Sequence, residues 1–252
     1  MMSPSKKRDV LEINKMGKFA FIIPVYNHEQ KVADVVKIAL KFNIPVFVVD
    51  DGSTDSTYEK IKDIEGINIL RHNENRGKGA AIMTGLTEAV KTADWAITID
   101  ADGQHNPEDA MYMIQAIPDN MRPIVIGMRE GMIKRDVPWT SRFGRKFSNF
   151  WVLLSGGPRV TDSQSGFRIY PLPESLDLKV IAKRFQFEVE ILVKARWNDI
   201  PVIEAPISVS YRIGKKRISH FHPFIDFLRN SSTFTRLIAQ RILIPPFIRK
   251  RL

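Results

Sequence analysis

The 252-residue chain contains no cysteine. Disulfide frameworks, thiolate zinc sites and a cysteine nucleophile are thereby excluded, and a reducing compartment suits the composition. Long apolar runs are absent too. Residues 1–18 carry Lys6, Lys7, Arg8, Lys15 and Lys18 but no apolar stretch long enough for a signal peptide or a membrane span. They are expected to form a disordered basic leader. The apolar C-terminal segment is broken by Gln240, Arg241, Pro245 and Pro246, so nothing in the chain is expected to cross a bilayer by itself. Acidic residues are scarce at that end. From Arg212 onward, Arg212, Lys215, Lys216, Arg217, Arg229, Arg236, Arg241, Arg249, Lys250 and Arg251 stand against Asp226 alone. The formal charge of +10 is therefore concentrated in a tail over 212–252. Such a patch suits an anionic membrane, a phosphate-bearing ligand or nucleic acid.

What is present is a regular alternation. An apolar run from Phe19 to Val25 is followed by helical spacing through Val32, Val35, Val36, Ala39 and Leu40. The strand Pro45 to Val49 then runs into Asp50-Asp51-Gly52-Ser53-Thr54-Asp55, whose Ser, Thr and Asp can cap a helix through Tyr58 and Ile61. Ile67 to Leu70 and Trp95 to Ile99 read as further strands, Gly77 to Val90 as a helix, and Asn106-Pro107-Glu108 as the start of another. Buried strands alternating with amphipathic helices predict an α/β fold, a mostly parallel Rossmann-like sheet with helices on both faces. Beyond Gly127 the pattern loosens; Gly166 to Tyr170 and Val202 to Tyr211 read as strands, with Pro206 marking an edge or bend, and Phe185 to Trp197 as a helix. From His220 to about Leu243 an apolar stripe opposite a basic side predicts an amphipathic helical tail suited to a membrane surface. The expected organisation is a leader over 1–18, a single domain over 19–211 and the tail over 212–252.

Ligands of such sheets bind beyond the carboxyl ends of the strands, where Asn27, Asp50-Asp51 and Asp100-Asp102 lie. Asp100 and Asp102, two apart at a strand end with Gln104 close by, offer oxygen ligands to a hard cation such as Mg²⁺ or Mn²⁺. An isolated D-x-D is also what a turn or a helix cap looks like. Asp51 is an acid without a capping duty and suits the hydroxyls or base edge of a nucleotide. Arg76-Gly77-Lys78-Gly79 supplies cations and small residues at a helix start, where backbone N–H groups attract phosphate.

Taken in order, Pro24-Val25-Tyr26-Asn27, Val48-Val49-Asp50-Asp51-Gly52-Ser53, Asn75-Arg76-Gly77-Lys78-Gly79 and Asp100-Ala101-Asp102-Gly103-Gln104-His105 resemble the motifs of family-two GT-A glycosyltransferases. Asp162-Ser163-Gln164-Ser165-Gly166-Phe167-Arg168 is similar to a signature of their dolichyl- and polyprenyl-phosphate sugar transferases. The resemblance spans roughly Phe19 to Tyr211. It implies that Pro24, Tyr26, Asn27, Asp51 and Lys78 line the nucleotide pocket together with Asp100 and Ala101, and that Asp100, Asp102 and Gln104 hold the metal, Asp102 being catalytic. Two departures stand out: the family's Glu directly after Tyr-Asn is His28 here, with Glu29 following, and Gly103 replaces a larger apolar residue.

A lipid phosphate acceptor is already an anionic nucleophile, so it needs positioning cations rather than a general base. Arg129, Arg142, Arg145 and Lys146 are available for that, with Ser148 nearby; the resemblance favours Arg129 and Arg145, which then count as catalytic. The expected reaction is inverting, metal-dependent transfer of a sugar from a nucleotide diphosphate donor to a polyprenyl phosphate, on the cytoplasmic face of an anionic membrane. A transferase acting on a hydroxyl acceptor and a noncatalytic nucleotide or nucleic-acid binding protein are the alternatives. A nucleic-acid partner is not expected, because an acidic crevice repels a phosphate backbone.

Overall fold

The computed structural model describes residues 17–129, 139–208 and 223–250. The expected leader, apart from its last two residues, and the expected boundary at 211/212 fall outside them, as do His220 and His222. The fold is built on one seven-stranded sheet in the order β3-β2-β1-β4-β6-β5-β7. Its strands are β1 (Phe19–Val25), β2 (Val46–Asp50), β3 (Ile67–Arg71), β4 (Trp95–Thr98), β5 (Ile124–Arg129), β6 (Arg168–Pro171) and β7 (Val202–Ile207). Strand β1 is central and wholly buried. Phe19, Phe21, Ile23 and Val25 face one core, shared with helix α1 (Val32–Leu40) and α4 (Ala110–Gln115). Ala20 and Ile22 face the other, shared with α3 (Lys78–Ala89) and α7 (Phe187–Trp197). Helices thus cover both faces, and each buried aliphatic side chain contributes about 1.5–3 kcal/mol.

Short α2 (Thr57–Ile61) follows β2; its N-cap, Ser56, makes no side-chain cap bond, and Asp55 just before it accepts from Thr57 N at 2.9 Å. A 3₁₀ turn over Pro107–Asp109 leads into α4, with the Asn106 side chain accepting from Glu108 N. Pro206 sits in β7, a sheet edge, as its missing N–H requires.

The sequence pattern did not reveal the direction of β6. It runs antiparallel to both neighbours, inserted between β4 and β5. Its start, next to Gly166 and Phe167, therefore lies at the edge where β1, β2, β4 and β5 end. This one reversal brings the Ser-Gly-Phe-Arg segment to the crevice. The order β2-β1-β4 also places the change of winding direction beside β1 and β4, the usual location of a ligand cleft.

After α5 (Trp139–Leu154) and α6 (Glu174–Asp177), the chain ends in α8 (Pro223–Leu243) and α9 (Pro246–Arg249). The apolar stripe of α8 divides in two. Phe234 and Leu237 are buried against Val152 of α5 and Val189, Val193 and Trp197 of α7, whereas Ile242 and Leu243 are exposed. Arg236, one of the tail cations, reaches the fully buried Glu190 at 2.8 Å, where Lys194 also approaches at 3.6 Å. Leu237→Ala is expected to lower stability by about 2–5 kcal/mol in urea unfolding; an unchanged midpoint would show that α8 does not dock on α5 and α7.

Candidate active site

The loop after β1 is tied to the loop after β2. Asn27, in the left-handed region at φ 54 that Asn tolerates, accepts from Thr54 N at 2.8 Å and from Asp55 N at 3.3 Å. Its own N donates to Ser53 Oγ at 3.0 Å. Glu29, the acid displaced by one position, accepts from Ser56 N at 3.0 Å and so holds the same loop. Asp50 caps Ser53 N at 2.8 Å.

Asp51 is only 2% exposed. Its Oδ1 accepts from Arg76 N at 3.0 Å and pairs with His72 Nδ1 at 2.7 Å, and Oδ2 accepts from Gly77 N at 2.7 Å. The acid without a capping duty therefore works inside the protein. It fixes the turn from which α3 starts, and the first residue of α3 is Lys78.

Lys78 Nζ lies 2.6 Å from Asp100 Oδ1 and 2.5 Å from Glu188 Oε1. Burial alone would push its ammonium down, but Asp100 and Glu188 more than offset this and hold it above the usual lysine range. Burial would likewise raise the Asp100 carboxyl, and Lys78 draws it below its ordinary value. Gly166 makes room for this cluster: a Cβ there would press on Lys78 Nζ and come within 2.6 Å of Asp100 Oδ2. Glu188 and Glu190, two apart on α7, face different ways, Glu188 to the crevice and Glu190 away from it.

Asp102 accepts from Gln104 N at 2.9 Å and from Gln104 Nε2 at 2.6 Å, which fixes the amide beside the carboxylate. Among the described residues no group of three or more His, Cys, Asp or Glu side chains forms a metal cage. Two carboxylates and an amide nonetheless fit a hard cation that completes its shell with substrate phosphate and water, as Mg²⁺ characteristically does. His105 packs on Phe167, with ring centroids 5.8 Å apart. Burial pushes its imidazole down to about 4 although Asp100 opposes that, and Arg129, Lys78 and Asp162 also act on it. It is neutral near pH 7.

Those same charges link the Asp100–Gln104 loop to the far side of the crevice. Arg129 at the end of β5 forms a fork with Asp162, Nε to Oδ2 and Nη2 to Oδ1 both at 2.7 Å. Asp162 thus orients Arg129 and not Arg168, six residues along the same signature run. Arg168 is fully buried and donates to the carbonyls of Ser163, Ser165 and Glu188, making it an internal brace. Glu204 of β7 accepts from Thr161 N at 2.9 Å and Asp162 N at 3.0 Å, so it clamps the segment that holds Arg129. Ser148 Oγ meets Ser163 Oγ at 2.9 Å. Arg145 is half-buried one turn earlier on α5, Lys146 is exposed, and the side chain of Arg142 lies outside the described residues. Pro24 at the end of β1 is buried, Tyr26 is half-buried, and Ala101 is buried between the two carboxylates.

The sequence model of glycosyl transferase family 2 matches residues 20–171. The chain belongs to that family. It is 35% identical to the UDP-N-acetylglucosamine–dolichyl-phosphate N-acetylglucosaminyltransferase of Methanococcus voltae, over 75% of this chain and 84% of the relative. It is 27% identical to the polyprenol monophosphomannose synthase of Mycolicibacterium smegmatis, over 79% and 80%. Its fold matches glucosyl-3-phosphoglycerate synthase from Mycobacterium tuberculosis, solved with Mn²⁺, UDP and phosphoglyceric acid, at a TM-score of 0.68 and 17% identity over 94% and 83% of the two chains. This glycosyltransferase thus has the GT-A-like architecture its motifs implied.

Sequence reasoning missed Glu204 and His72, because a charged residue on an edge strand and a lone histidine carry no pattern. For Glu188 the signal was the helical spacing that separates it from Glu190. Gly166→Ala is expected to weaken metal-dependent binding of a nucleoside diphosphate by about tenfold or more, since the new methyl displaces Lys78 or Asp100. Calorimetric titration with unchanged far-UV circular dichroism is the check; wild-type affinity would show that the close approach is not needed.

Proposed function

We propose that the protein transfers a single sugar, with inversion, from a nucleotide diphosphate sugar to a polyprenyl phosphate of dolichyl type, at the cytoplasmic face of a membrane. The observation that carries this reading is the juxtaposition across one crevice of an acidic loop, Asp100 to Gln104, and the arginine fork Arg129–Asp162, with His105 within reach of both sets of charges. Pro24, Tyr26, Asn27, Lys78, Asp100 and Ala101 are assigned to the donor, and Asp51 supports them through the turn it holds. Asp100, Asp102 and Gln104 would hold Mg²⁺ or Mn²⁺, which supplies neutralisation of the departing diphosphate. Lys78 adds a fixed positive charge there without any change of protonation.

On the acceptor side Arg129, Arg142, Arg145 and Ser148 are assigned to the lipid phosphate. Asp162 is fully buried and spent on Arg129, and Glu204 is spent on Thr161 and Asp162. Neither is poised to take a proton from a hydroxyl. An acceptor that is already anionic needs no such base, which favours phosphate over a hydroxyl group. The names of both relatives specify a lipid-phosphate acceptor or product and differ in the sugar.

A lipid acceptor calls for a membrane surface. No helix among the described residues is long and apolar enough to cross a bilayer. Helix α5, however, runs from Arg145 and Ser148 to Phe150, Leu153 and Leu154, which are exposed, and the exposed Ile242, Leu243 and Phe247 of α8 and α9 extend the apolar surface. The uncovered half of the α8 stripe is what remains for membrane contact.

Asp102→Ala should abolish formation of the glycolipid when enzyme, Mg²⁺ or Mn²⁺, a panel of nucleotide sugars and a short polyprenyl phosphate are combined and the product is weighed by mass spectrometry. Full turnover by that variant, or by wild type in excess chelator, would end the metal assignment. Arg145→Ala should raise the KM for polyprenyl phosphate about tenfold or more with little change for the donor; the opposite split would move Arg145 to the donor side.

A further inference from the structure

The C-terminal ends of α5, α7 and α8 meet α9 around a second pocket of about 400 Å³. It is remote from the first: Trp197, in its wall, lies nine residues beyond Glu188 on α7, roughly 13 Å along the helix. The lining carries Arg196, Arg241, Arg249 and Lys250 against Asp199 alone, and Asp199 is already paired with Lys250. Two donors in this lining are unsatisfied. Trp197 is 7% exposed, yet neither its Nε1 nor Arg249 Nε has a hydrogen-bond partner among the described residues. Buried donors are normally completed in folded proteins, so an acceptor is missing from this place.

Local geometry favours a compact anion as that acceptor. Gly156, at φ +82, shares the wall, and a Cβ there would come within 3.1 Å of both Trp197 Nε1 and the Arg241 side chain. A side chain at that position would crowd the indole edge. Arg249 stacks over the Trp197 ring at 4.6 Å and donates Nη1 to Arg241 O at 2.9 Å, while Arg241 donates Nη1 to Leu154 O at 2.5 Å. The guanidinium groups are thereby fixed with donors to spare. Burial and the charge of Arg241 push the Arg249 pKa down, the mark of neighbouring cations without a counter-charge. Leu154, Ile242, Leu243 and Phe247 are all exposed and each lies within two residues of a lining residue, Gly156, Arg241 or Pro246; we take them as its apolar rim.

We propose that this pocket binds a phosphate group, through Trp197 Nε1, Arg249 and the flanking Arg196, Arg241 and Lys250, and that the apolar rim makes an anionic phospholipid headgroup its source. Tetrahedral phosphate oxygens suit converging guanidinium donors, and the rim places acyl chains beside the exposed leucines and Phe247. The site stands apart from the donor crevice, so its failure would leave the sugar-transfer reading untouched.

The test follows the indole N–H resonance of Trp197 in the ¹⁵N-labelled full chain, assigned with Trp197→Phe. One arm adds inorganic phosphate and the other adds monomeric short-chain phosphatidylglycerol. Both are expected to move the resonance, the lipid at about tenfold lower concentration or better. Arg249→Gln should weaken both by about tenfold or more, with nucleotide binding unchanged. Should that variant misfold, the exposed pair Arg196→Gln and Lys250→Gln should weaken both ligands in the same direction. A response to phosphate with no preference for lipid would overturn the headgroup as source. No response to either ligand, or an equal response in the variants, would overturn the site.

Discussion

The crevice is organised by one ammonium group held between two carboxylates. Lys78 bridges Asp100, at the end of β4, and Glu188, at the start of α7. Elements far apart in sequence converge on that point, and each has a device for reaching it. Asp51 fixes the turn before Lys78, Gly166 gives up a side chain to let Lys78 and Asp100 meet, and Arg168 ties the carbonyl of Glu188 to those of Ser163 and Ser165. A buried lysine is costly unless its charge is matched, so the second carboxylate matters. If Asp100 turns to a metal ion, Glu188 keeps Lys78 charged and in place.

Much of this was legible in the sequence because each donor-side motif is short and sits at a strand end. Parallel strands that follow one another must finish at one edge, so Asn27, Asp51 and Asp100 could be gathered without knowing any contact. What periodicity cannot encode is direction. Strand β6 has four residues, too few to show whether it runs with or against its neighbours, and its reversal decides where Gly166 lies.

Partner choice was the other limit. The arginine in Ser-Gly-Phe-Arg looks as available for phosphate as Arg129 does, but it is buried among carbonyls, while Arg129 lies at the rim of the crevice in the grip of Asp162. Charge along the chain says nothing about which carboxylate an arginine will meet. The tail shows the same effect. Arg236 counted as a surface cation, yet it neutralises Glu190 in the interior, and an unbroken apolar stripe proved half covered by protein.

That division of the stripe carries a structural consequence. Helix α7 has one end at the crevice, at Glu188, and the other beneath α8, at Trp197, while on α5 Ser148 stands one turn before Val152, which packs beneath α8. They act as two rods joining the crevice to the surface bearing Leu154, Ile242 and Phe247. Close-packed helices transmit position rather than absorb it. A bilayer that seats that surface would therefore also set the height at which Arg145 and Ser148 stand above the lipid. An amphipathic tail merely tethered to the domain would fix no such distance, whereas one locked by Phe234, Leu237 and the Glu190–Arg236 pair does.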